Sequence, residues 1–156
     1  MAGDALGLSG AALADLMSSV LCRGLPFRFR AKGQSMSPFI LDGDVLAIEP
    51  VASHRLRIGD VVAFVRLGRP TVHRIVAKAG NDYLVAGDGY SGLAETVSPG
   101  NIVGRVVGIE RRGRNVRLGL GPERMIIALL SRRGLLLPVW ARLYRVALLI
   151  TRLWRP

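Results

Sequence analysis

The sequence predicts a mainly β protein, a curled antiparallel sheet preceded by one short helix and followed by a helical tail. Three observations predict it. Short runs with a two-residue apolar alternation follow one another from residue 27 to 118, turn-forming residues stand between them, and a basic, helix-like stretch closes the chain. The 156 residues, 50% hydrophobic and 21% charged, suffice for one core and exclude disorder, collagen and small disulfide scaffolds. The expected organisation is an N-terminal helix in 1–26, a β domain in 27–118 and a basic amphipathic tail in 119–156.

Leu13, Leu16, Met17, Val20 and Leu21 recur at helical spacing, with Ser9 as N-cap and Gly24 just past the end. From Phe27 the period changes: Phe27, Phe29 and Ala31 alternate with Arg28, Arg30 and Lys32, as in a half-buried strand. Further strands are predicted at 45–49, 61–66, 71–77, 83–86, 102–110 and 115–118. Asp42-Gly43, Gly68-Arg69-Pro70, Gly80-Asn81 and Gly113-Arg114-Asn115 separate them. Residues 119–122 read as a linker, and 124–155 as helix broken near Gly134 and Pro138.

The net charge of +11 is unevenly spread. Of 22 Lys+Arg and 11 Asp+Glu, residues 1–110 hold 11 and 10, whereas 111–156 hold 11 arginines against Glu123 alone. Arg142, Arg145, Arg152 and Arg155 fall on one side of a helical wheel, with Leu143, Val146, Ala147 and Ile150 on the other. Both tryptophans, Trp140 and Trp154, lie in this stretch. An anionic membrane surface therefore suits residues 122–156 better than nucleic acid, which would need neither the tryptophans nor the apolar face. No window reaches the roughly 18–20 apolar residues of a membrane span. No Lys or Arg precedes Arg23, unlike a secretory signal. The expected location is cytoplasmic and peripheral to a membrane. A single cysteine, Cys22, excludes an intrachain disulfide framework and a Cys-based zinc cluster, and no cofactor or metal is expected.

Two residues invite chemistry. Ser35 sits between Gly33 and Pro38, where its hydroxyl can project from a strand end, and His73 stands in an otherwise apolar run. A serine hydroxyl needs a base at neutral pH, and imidazole has a suitable pKa. Taken alone, Ser35 reads more readily as a turn residue bonded to local backbone and His73 as a buried histidine bonded to a carbonyl. Of the two lysines, Lys78 lies five residues from His73 and so on the opposite strand face, and Lys32 precedes the serine. His54, in a polar setting, reads as a solvated loop residue, and Asp44 and Asp60 as turn residues.

Ser35-Met36-Ser37-Pro38, Gly43-Asp44-Val45, Gly59-Asp60-Val61-Val62 and His73-Arg74-Ile75-Val76, in this order, resemble the signal peptidase family in its Ser/His branch. Gly87-Asp88 and Ile102-Val103-Gly104-Arg105-Val106 resemble its later boxes, so the likeness covers about 27–109. The resemblance implies a signal peptidase/LexA-like fold, Ser35 as nucleophile, His73 as general base and the Ser35 N–H in the oxyanion hole. The place of an assisting hydroxyl in some relatives is Gly33 here. The family's triad aspartate falls on Ala94, which leaves Asp88, the preferred candidate, and Glu95 to orient His73.

The implied activity is that of a serine endopeptidase taking an extended peptide by β-pairing, with small side chains on the acyl side. The alternatives are a catalytically inactive peptide-binding relative and a basic-tail nucleic-acid-binding protein. A self-cleaving repressor would need more than the 34 residues, with one helix, that precede Ser35.

Overall fold

The computed structural model describes residues 9–89 and 94–153, with side chains as far as residue 148. Helix α1 (Gly10–Cys22) starts where the Ser9 hydroxyl accepts the Ala12 N–H at 3.2 Å. Eight strands follow: β1 (Phe27–Arg30), β2 (Val45–Glu49), β3 (Val61–Arg66), β4 (Arg69–Ala79), β5 (Asp82–Ala86), β6 (Ala94–Val97), β7 (Ile102–Arg111) and β8 (Arg114–Val116). Helices α2 (Arg124–Arg132) and α3 (Leu136–Leu153) close the described chain. The fold is mainly β, as the alternation predicts.

All strand pairs are antiparallel, in the order β1-β2-β7-β3-β4-β5-β6, with β8 folded back on β7. Register shifts at Ala47/Ile48, Ala63/Phe64 and Ile75/Ala77 are bulges that coil the sheet. The run Val61-Val62-Ala63-Phe64 does not alternate because β3 lies in the middle of the sheet and is covered on both faces. Val61 and Ala63 pack with Met17 and Leu21 of α1 and with Leu46, Ile48, Val106 and Ile109. Val62 and Phe64 pack with Ile75, Val85, Val97 and Ile102 on the other face. Within α1 the buried stripe is Ala14, Met17 and Leu21; Leu16, expected on the apolar face, is 44% exposed.

The strand missing from the sequence reading is β6. In Ala94-Glu95-Thr96-Val97 only Val97 is buried, so the segment carries almost no apolar signal. The tail also differs from its expectation. Gly134 separates α2 from α3, but Pro138 sits in the first turn of α3, where its missing N–H costs no helix bond. Ala128 of α2 packs on Val76 and Ala86, and Ile127, Leu136 and Trp140 enclose Phe39. Trp140, expected at a membrane surface, meets the Phe39 ring edge-on at 5.3 Å. Residues 141–148 are exposed, including Leu143, Tyr144 and Val146. The side chains of Ile150 and Arg152, and the residues Trp154 and Arg155, lie outside the described residues.

Candidate active site

Ser35 lies in the turn that connects β1 to β2. Three bonds fasten this turn at its base: Ala31 N–H to Asp44 O, Gly43 N–H to Ala31 O, and Gly33 N–H to the Asp42 carboxylate at 2.7 Å. Asp44 holds it from below, accepting the Leu41 N–H at 2.8 Å and both ends of the Arg111 guanidinium at 2.9 and 2.8 Å. Arg111 also donates to the Phe39 carbonyl. Burial disfavours the Asp44 charge, yet the Arg111 hydrogen bonds, the Leu41 N–H and the guanidinium charge outweigh it and hold the carboxyl below its ordinary value. Asp60 accepts the Arg57 N–H at 3.0 Å in the same way, three residues back. Both aspartates are turn residues.

Strand β4 supplies His73 and Arg74 to opposite faces. Arg74 is completely buried. Its guanidinium donates to the Asp88 carboxylate at 2.7–3.2 Å and to the Gly59 and Gly119 carbonyls at 2.9 and 2.8 Å, and it lies 5.6 Å from the Phe39 ring centre. Burial pushes the Asp88 carboxyl up, the Arg74 hydrogen bonds and charge and the His73 charge oppose that rise, and the outcome is above the ordinary aspartate value.

Asp88 pins the segment Gly87-Asp88-Gly89 against the serine. The Gly89 N–H donates to the Ser35 carbonyl at 2.8 Å. A Cβ at Gly87 would run into the Ser35 carbonyl oxygen and one at Gly89 into the Gln34 carbonyl, so only glycine permits this approach. The same Cβ at Gly87 would lie 3.4 Å from His73 Nε2. The Ser35 carbonyl and the Nε2 edge of His73 thus both border Gly87. Among the described residues neither the Ser35 hydroxyl nor its N–H has a hydrogen-bond partner, and no Ser35–His73 hydrogen bond is formed.

The other ring nitrogen, His73 Nδ1, lies 3.0 Å from Glu95 Oε1. The two atoms are not aligned for a linear hydrogen bond, and neither has another such partner among the described residues. The register explains the contact: Ile75 pairs with Val85 and Val85 with Glu95, so Glu95 shares the face of residues 73 and 75 while Ala94 takes the opposite one. Of the two carboxylates expected to orient His73, Asp88, the preferred one, is engaged with Arg74, and Glu95 is the one that faces His73 Nδ1. Glu95 Oε2 also lies 3.3 Å from Arg66 Nε. Burial pushes the His73 pKa down; the Glu95 charge and contact act upward, Arg66 downward and Asp88 upward, and the outcome is below the ordinary histidine value. The His73 ring also meets Phe64 edge-on at 5.8 Å.

The remaining candidates lie apart. Lys78 is exposed and stacks over Tyr83 at 5.7 Å, and His54 is exposed in a short 3-10 turn, Ser53–Arg55. Beside Ser35 opens a cleft of about 500 Å³, lined by Phe29 to Gly33, Leu13 of α1 and Arg69 to Val72 of β4.

The family model Peptidase S24-like matches residues 14–107, well over half of the chain. The chain belongs to the peptidase S24-like family. Its sheet has the LexA/signal peptidase-like fold, and the family includes serine peptidases. No curated protein matches this S24-like chain. Both the Ser35 turn and the His73 strand lie inside the matched region.

The Arg74–Asp88 pair gives the first prediction. Asp88→Ala leaves a buried guanidinium without its counter-charge and should lower stability to urea by roughly 3–5 kcal/mol. A loss of only about 1 kcal/mol, as for an exposed pair, would contradict its structural role.

Proposed function

We propose that this S24-like protein is a serine endopeptidase resembling signal peptidase, with Ser35 as nucleophile, His73 as general base and Glu95 as the carboxylate that orients the imidazole. The observation that carries the reading is the orientation of His73: Nε2 faces the Ser35 segment across Gly87 while Nδ1 faces Glu95. The Ser35 hydroxyl gives its proton to Nε2 as its oxygen attacks the scissile carbonyl. The imidazolium then protonates the leaving amine, and water repeats the sequence on the acyl-enzyme. The unpartnered Ser35 N–H supports a backbone oxyanion hole, and the proton on Nδ1 faces a carboxylate.

The cleft favours an extended peptide. It is bordered by β1, which ends the sheet and leaves one row of backbone groups free, and by the first residues of β4. Ser35→Ala should lower release of products from a peptide library by roughly 10⁴- to 10⁶-fold without loss of folding, and Ser37→Ala should keep most activity. Mass spectrometry of the digests checks this: equal cleavage by Ser35→Ala protein rejects Ser35 as the nucleophile, and absence of products from both proteins supports the inactive peptide-binding alternative.

The base must be neutral, so kcat/KM should rise with pH through the His73 ionisation, below the ordinary value of about 6.5. Glu95→Gln removes an upward influence and should shift this limb to lower pH while reducing turnover roughly 10⁴-fold. Arg66→Ala removes a downward influence and should shift the limb to higher pH. Limbs that stay in place in both variants separate His73 from the reaction.

We also propose that α3 lies on an anionic membrane surface. No helix among the described residues is long and apolar enough to cross a membrane. The exposed Leu143, Tyr144 and Val146 beside Arg142 and Arg145 support shallow binding. Leu143→Ser/Val146→Ser protein should float with anionic liposomes severalfold less than wild type. Equal flotation contradicts the role of this face.

A further inference from the structure

A second pocket, of about 460 Å³, is lined by His54, Arg55, Arg57, Arg105 and Arg124. It gathers guanidiniums from three separate parts of the chain: the turn before β3, strand β7 and the first residue of α2. The peptidase reading uses none of them.

Among the described residues, one carboxylate lies in ion-pair range of two of the four guanidiniums. Asp60, 2% exposed, lies 3.6 Å from Arg105 Nη1 and 3.4 Å from Arg124 Nη1. Neither approach is a hydrogen bond, and Asp60 Oδ1 has no hydrogen-bond partner among the described residues. Asp60 therefore draws two arginines together while leaving their N–H donors available. The Arg55 and Arg57 side chains have no ion-pair or hydrogen-bond partner among the described residues. Arg124 is held in place from behind, since a Cβ at Gly59 would lie 3.0 Å from its backbone carbonyl. One carboxylate offsets only part of the mutual repulsion of four like charges around one opening, and a bound anion would offset the rest.

We propose that this pocket binds a phosphate group. Phosphate offers several strong acceptor oxygens and up to two negative charges, which suit planar guanidinium forks better than a single carboxylate does. The volume exceeds that of the bare anion, so the ligand class is a phosphate ester with its organic part toward the mouth. A lipid head group and a soluble phosphate share this chemistry. The assignment is independent of the peptidase reading, because its residues and its readout are separate from Ser35 and His73.

The test titrates the full-length protein with inorganic phosphate in chloride buffer, following arginine side-chain N–H signals by NMR. Saturable shifts are expected, and Arg55→Ala/Arg57→Ala should weaken them about 10-fold or more. Equal affinity in wild type and variant overturns the site, as does an identical response to acetate. Should the double variant fail to fold, Arg57→Gln alone carries the comparison. Monomeric dihexanoyl phosphatidic acid, set against dihexanoyl phosphatidylcholine, then identifies the source. Tighter binding of the former than of inorganic phosphate supports a lipid phosphate, equal binding supports a soluble one, and no response to any phosphate overturns the proposal.

Discussion

The arrangement around Ser35 depends on one buried ion pair, Arg74 with Asp88. A guanidinium with no exposed surface must find an acceptor for its donors inside the protein, and here they come from distant parts of the chain. Gly59 belongs to the turn before β3, Gly119 to the linker before α2, and Asp88 to the segment after β5. Phe39, against the same guanidinium, belongs to the Ser35 turn and receives α2 and α3 through Ile127, Leu136 and Trp140. Satisfying Arg74 thus fixes the relative positions of the sheet, the serine turn and the helical elbow.

Two carboxylates near His73 are kept in separate roles by the alternation of strand β4. Arg74 and His73, adjacent in sequence, face opposite ways, and each has its own acid: Asp88 for the arginine, Glu95 for the histidine. Asp88 still acts on the imidazole through its charge, but its oxygens are consumed by the guanidinium. Glu95 is the freer of the two among the described residues, facing the partly exposed Arg66. Burial of the ring holds the His73 pKa below its ordinary value despite the nearby acids, in keeping with the general-base role proposed for it.

Much of this was legible in the sequence. Strands β2 and β3 coincide with their predicted spans because apolar residues and turns mark them clearly, and the paired Gly-Asp-Val turns announce the entrances to both. The illegible part follows from one short strand. Ala94-Glu95-Thr96-Val97 buries a single side chain, so β6 left no periodic signal, and without β6 the facing of Glu95 had no physical basis. Arg74 did carry a signal that went unread: an arginine inside Val72-His73-Arg74-Ile75-Val76 must either reach water or meet a buried acid. The tail read as one amphipathic unit because composition does not reveal which apolar side chains find a partner. Trp140 finds Phe39, whereas Leu143 and Val146 stay exposed.

The claim that the buried pair seats the glycine segment on Ser35 is tested most directly by hydrogen exchange at one amide, the Gly89 N–H that bonds the Ser35 carbonyl. In wild-type protein this amide should exchange slowly. In Asp88→Asn protein, studied under conditions where it remains folded, it should exchange faster while the amides of β3 and β7 keep their protection, and Glu95→Gln should leave it unchanged. Full protection of Gly89 in folded Asp88→Asn protein would contradict the account, because the serine contact would then persist without the ion pair.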